Sequence, residues 1–134
     1  MKLKFRIWDA ENKEMMYQPL ADLEDLYISL LDGRFYEYSL GGLNEHPVTE
    51  QLELLQFTCL FDCEAREIYE GDILARTDDE DIRYCVKFIS GGFRAVDNID
   101  DDGAHLVLLT KYSNSTWRVI GNRFENPELM GELA

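Results

Sequence analysis

From Glu67 to the end, the chain runs in short apolar–polar alternating stretches broken roughly every ten residues by glycine or acidic turns. This rhythm reads as about four or five short strands. Helices need apolar residues at three- and four-residue spacing, and this half keeps a period of two. Tyr84, Val86 and Phe88 fall on one face of a strand, with Arg83, Cys85 and Lys87 on the other. Ser90-Gly91-Gly92 turns the chain into Phe93-Arg94-Ala95-Val96. Leu106-Val107-Leu108-Leu109 and Trp117-Arg118-Val119-Ile120 supply further strands. Such spacing predicts a small SH3-like barrel or sandwich.

The first half is less regular. Leu3, Phe5 and Ile7 alternate with Lys4 and Arg6, and Met15-Met16-Tyr17 reads as the return strand of a hairpin. Residues 20–31 carry two signals. Pro19 and the leucine spacing suit a helix, whereas Asp32-Gly33 between two aromatic-rich runs suits a hairpin over about 26–38. The expectation is a short helix or irregular turn near 20–25, then that hairpin, with a helix to Leu31 as the alternative. Residues 40–50, with Gly41-Gly42, Asn44 and Pro47, read as a loop and an insert. Residues 52–60 resume alternation, and 61–66 read as a turn. The fold class is therefore mainly β with minor α: N-terminal hairpins over 1–60 joined to a small barrel over 61–134. The two parts are also compatible with one compact unit.

At 134 residues, 46% hydrophobic, the chain has enough apolar surface for a real core. Its formal charge is −14, from 27 acidic and 13 basic residues. That charge opposes a phosphate backbone and suits a basic protein partner. Lys2, Lys4 and Arg6 form one small basic strand face, with Phe5, Trp8 and Tyr17 as stacking surfaces. This is the minority, nucleic-acid-binding reading. The N-terminus lacks the roughly 7–15-residue apolar run of a signal peptide. No stretch approaches the roughly 18 apolar residues of a membrane span. The expectation is a cytoplasmic protein without membrane association.

Catalytic and metal chemistry find little support. Neither G-x-x-x-x-G-K-[ST], G-x-G-x-x-G nor G-x-S-x-G occurs. The three cysteines are Cys59, Cys63 and Cys85, read as free thiols, with Cys59 and Cys85 as small buried hydrophobes. With only the scattered His46 and His105 beside them, they do not form a zinc set. Asn98, Asp100, Asp102 and Gly103 resemble half a calcium loop, but its twelfth position is Leu109 where a glutamate belongs. Glu67, Glu70 and Asp72 are close enough to suggest paired carboxylates. Gly71 interrupts them, so they read first as turn formers. No catalytic residue, cofactor or metal ligand is assigned, and an enzyme is not expected.

Several blocks together carry a resemblance. They are Lys4-Phe5-Arg6-Ile7-Trp8-Asp9, Gln56-Phe57-Thr58-Cys59-Leu60-Phe61-Asp62, Glu67-Ile68-Tyr69-Glu70-Gly71-Asp72-Ile73-Leu74, and Val119-Ile120-Gly121-Asn122-Arg123-Phe124-Glu125-Asn126-Pro127-Glu128-Leu129. In this order they resemble the YopX proteins encoded by bacterial phages and prophages. The residues that carry the signature are Trp8, Gln56, Thr58, Glu67, Ile68, Tyr69, Glu70, Gly71, Asp72, Ile73, Gly121, Asn122, Glu125, Asn126 and Pro127. The resemblance implies a β-rich fold and a phage or prophage origin, and brings no activity with it. Two positions depart from the family: Cys59 stands where glycine is usual, and Ala65 where an Asn-Gly turn often supplies glycine. The expected function is a non-enzymatic accessory protein that binds a host or phage protein. The alternative is an acidic DNA-mimic decoy built on the clusters 78–81 and 97–102. Exposed strand edges and many aromatics leave self-association open.

Overall fold

The computed structural model describes residues 4–17, 26–28, 35–39, 42–43, 52–89, 91–97, 106–108 and 115–131. The chain divides into two compact units, one of residues Phe5–Leu54 and one of Met1–Lys4 with Leu55–Ala134. Both are built from antiparallel strands, so the mainly β class expected from the sequence is the observed one. No helix among the described residues is long and apolar enough to cross a membrane.

In the first unit, β1 (Phe5–Asp9) and β2 (Glu14–Tyr17) form the expected hairpin, with Ile7 opposite Met16 and Trp8 opposite Met15. The Asp9 carboxylate starts the turn. Its Oδ1 accepts from the backbone N–H groups of Glu11 (3.0 Å) and Asn12 (3.2 Å). Its Oδ2 accepts from Asn12 Nδ2 at 2.8 Å. These bonds, led by the Asn12 side chain, hold the Asp9 carboxyl below the ordinary carboxylate value. Lys13 closes the turn with φ 53°.

The hairpin expected over 26–38 is also present. β3 (Leu26–Ile28) pairs with β4 (Phe35–Ser39), setting Tyr27 opposite Tyr36. The Asp32-Gly33 turn and the helical turn near 20–25 lie outside the described residues. One expectation is corrected. Gly42 and Leu43, read as loop, form β5 (Gly42–Leu43) against Tyr38 and Ser39. Backbone pairing to a neighbouring strand overrides the local glycine signal there.

β6 (Leu52–Phe61), which belongs to the second unit from Leu55 on, runs antiparallel to β7 (Glu67–Tyr69). Then come β8 (Asp72–Arg76), β9 (Arg83–Ile89), β10 (Gly92–Val96), β11 (Leu106–Leu108) and β12 (Trp117–Asn122). They form one sheet in the order β11-β10-β9-β8-β12, curled into a half-barrel. Alternation decides what it buries. Leu74, Val86 and Ala95 from one face meet Ile68 and Trp117 in the core, with Tyr84, Phe93, Leu60 and Val119 packed around them. The Tyr84 and Trp117 rings meet edge to face at 5.2 Å. The alternate residues Ile73, Ala75, Cys85 and Val96 are fully buried as well. Buried residues on both faces of β8, of β9 at Cys85-Val86 and of β10 at Ala95-Val96 explain why these strands show no clean polar side. Each large aliphatic side chain buried this way contributes about 1.5–3 kcal/mol. A 3-10 turn, Pro127–Met130, ends the described chain as the sequence suggested, with Pro127 at its start.

Candidate functional site

Apart from Trp8, which belongs to the first unit, the family-signature residues lie in the second, on β6, at the β7–β8 corner and at the turn after β12; a further turn, 62–66, stands among them. The first turn is the corner between β7 and β8. Gly71 takes φ 91°, a conformation that L side chains avoid. Its N–H donates to Val86 O at 2.8 Å, and its carbonyl accepts from Arg123 N–H at 2.9 Å. A Cβ on Gly71 would stand 2.8 Å from Phe124 Cε2. Asp72 is buried, and its Oδ2 accepts from Tyr69 N–H at 2.7 Å. Glu70 N–H donates to Gln56 O at 2.9 Å. Thr58 Oγ1 donates to Ile68 O at 2.7 Å.

Two acids of this stretch, Glu67 and Asp72, are directed to different partners. Glu67 Oε2 pairs with Lys4 Nζ at 2.7 Å, and Glu67 Oε1 accepts from Tyr69 OH at 3.3 Å. Asp72 meanwhile serves the backbone of its own corner. Asp72 thus acts as a turn former, whereas Glu67 is an ion-pair partner.

The second turn spans 62–66. Asp62 is 2% exposed, and its carboxylate accepts three backbone N–H groups. Oδ1 takes Glu64 (2.9 Å) and Arg66 (2.8 Å), and Oδ2 takes Val119 (2.9 Å). Cys63 N–H donates to Trp117 O at 2.9 Å. The two departures from the family sit here. Cys59 has φ 65° in the bulge where β6 loses register with β7, and Ala65 has φ 62°. Both keep the left-handed geometry that glycine would supply, at a steric cost of about 1–2 kcal/mol each. Cys85 is buried as expected, whereas Cys59 is only half-buried and Cys63 is exposed.

The third turn follows β12. Asn122 Oδ1 accepts from the N–H groups of Phe124 (3.0 Å) and Glu125 (2.8 Å), while its Nδ2 donates to Glu125 Oε1 at 2.9 Å. Asn126 Oδ1 accepts from Asn122 N–H at 3.2 Å. A Cβ on Gly121 would meet that oxygen at 2.6 Å. Arg83 Nη1 donates to Leu129 O at 3.0 Å and ties this segment to β9. Trp8 and Ile73 serve packing, both being buried.

Charge is partly neutralised within the chain. Arg6 is only 3% exposed, and its Nη1 donates to Tyr17 OH at 3.3 Å. Of the expected basic strand face, Lys4 is ion-paired with Glu67 and Arg6 is buried, while Lys2 lies outside the described residues. In the acidic tip, Asp78 pairs with Arg76 at 2.7 Å and Glu80 with Arg118 at 2.6 Å. Arg118 Nε also faces Glu64 Oε1 at 2.9 Å, an ion pair without directed hydrogen-bond geometry. The Arg118 guanidinium is held above its ordinary value, first by Cys63 and then by Glu64 and Glu80. Among the described residues, no group of three or more His, Cys, Asp and Glu could hold a metal ion. His46, His105 and the calcium-like run 98–103 lie outside them.

Sequence reasoning left Asp62 and Phe124 off its signature residues. Asp62 carried a usable signal, a short acid opening a turn whose following N–H groups need an acceptor. Nothing local marks Phe124 as the neighbour that demands Gly71.

The fold and these turns define a class: antiparallel-β chains in which a curled five-stranded sheet is closed by hydrogen-bonded turns. The model of the family described as YopX protein matches residues 4–131, and the chain belongs to that family. A solved structure of protein EF1440 from Enterococcus faecalis is similar at TM-score 0.59 and 24% identity, over 97% of this chain and 99% of that one. Protein yopX from Bacillus subtilis is similar at TM-score 0.56 and 25% identity, over 94% of this chain and 96% of that one. No curated protein matches.

Proposed function

We propose that this protein is a non-enzymatic accessory protein of a phage or prophage, acting in the host cytoplasm by binding another protein. The observation that carries this reading is where the signature polar groups are used. Asp72, Asn122 and Asn126 each spend a side-chain oxygen on backbone N–H groups of their own turns. A carboxylate or amide committed this way holds the scaffold and is not presented to a substrate. Recognition then falls to the surface, where Phe88 is 54% exposed and stacks edge to face on Phe93 at 5.1 Å. Exposed aromatics of this kind suit protein contacts.

The test is affinity capture from phage-infected cells with the wild-type chain and Phe88→Ser. A defined protein retained by the wild type and lost by the variant, at unchanged thermal stability, supports the reading. Recovery of nuclease-sensitive nucleic acid alone would sink it.

A further inference from the structure

We infer that the 62–66 turn is a strap over the edge of β12, which opens as one unit ahead of the rest of the half-barrel. β12 is an end strand of its sheet, and an end strand presents backbone groups with no ladder partner. The strap supplies those partners. Cys63 N–H donates to Trp117 O, Asp62 Oδ2 accepts from Val119 N–H, and Arg66 Nη1 donates to Val119 O at 3.4 Å. Glu64 adds its ion pair to Arg118.

Its hold is narrow. Residues 63–66 are all exposed, so Asp62 is the strap's one buried anchor. Ala65 within the strap and Cys59 just before it are both left-handed without being glycine. Opening relieves Ala65 of that strain, whereas β9 and β10 have no such strain and buried residues on both faces. An open strap bares Trp117 C=O and both backbone groups of Val119. Backbone groups bared in this way are those through which a strand edge pairs. The strap thus controls whether this edge is available, whatever the protein binds elsewhere.

Native-state hydrogen exchange on the full chain tests this, with amides followed individually by NMR across low urea concentrations. The amides of Cys63, Glu64, Arg66 and Val119 should exchange through one shared opening with a shallow urea dependence. They should do so at least about tenfold faster than the hydrogen-bonded amides of β9 and β10. Ala65→Gly should slow exchange at all four by about fivefold, because the closed state then carries less strain. The proposal is overturned if these amides share the free energy and urea slope of β9 and β10. It is equally overturned if Val119 stays protected while the turn exchanges, or if Ala65→Gly leaves the four unchanged.

Discussion

Asp62 Oδ2 accepts a hydrogen bond from the backbone N–H of Val119 at 2.9 Å, joining positions 57 apart in sequence. The same carboxylate binds two N–H groups of its own turn through Oδ1. One buried side chain thereby builds a turn and fixes it to the sheet.

Asp62→Ala should be strongly destabilising, because it leaves three donors without an acceptor. The expected loss is about 3 kcal/mol or more. Urea titration should show a lower midpoint with an unchanged slope. Asp62→Asn should lose less, since one oxygen remains to serve Glu64 and Arg66. An Asn variant as stable as the wild type would show that the Val119 bond contributes nothing.

Gly71→Ala combines a positive φ with a Cβ placed against the Phe124 ring. The expected cost is about 2–4 kcal/mol. Phe124→Ala removes only the steric part. The two substitutions should therefore cost less together than their sum, by a margin a double-mutant cycle resolves. Strict additivity would place the whole effect in the backbone.

Ala65→Gly should raise stability by about 1 kcal/mol, and the melting temperature by a few degrees. Cys59→Gly should gain less, because its half-buried side chain also gives up packing. Lower melting temperatures in both variants would mean that glycine's freedom in the unfolded chain outweighs the strain relieved.

The Asp9 turn predicts a pH effect of fixed sign. Hydrogen bonds to the charged carboxylate lower its folded-state value below the ordinary 3.8. Its stabilisation is therefore complete above that value and is lost as pH falls through the folded one. NMR titration should place the Asp9 midpoint below those of unpaired aspartates. Asn12→Ala should move it back up. An unmoved midpoint in that variant would remove Asn12 as the main cause.

Much of the fold was legible in the sequence where it depends on neighbours along the chain. Alternation gave the β1–β2 hairpin and the strands from 67 onward, and the Asp32-Gly33 signal gave the β3–β4 pairing. Gly71 and Asp72 were readable as a corner, and Pro127 as the start of a turn. β5 was missed because glycine and proline nearby say turn, while a two-residue pairing leaves no periodic trace.

The sequence by itself determined the class of the protein, the places where strands break, and the family blocks that mark it. All of these follow from a two-residue side-chain period and from local backbone preference. Only the tertiary structure decided that Asp62 meets Val119, that Phe124 stands over Gly71, and that Lys4 is matched by Glu67. Such contacts depend on which strand ends the sheet and how the sheet curls. Curling sums small twists over five strands, and no single stretch of residues carries that sum.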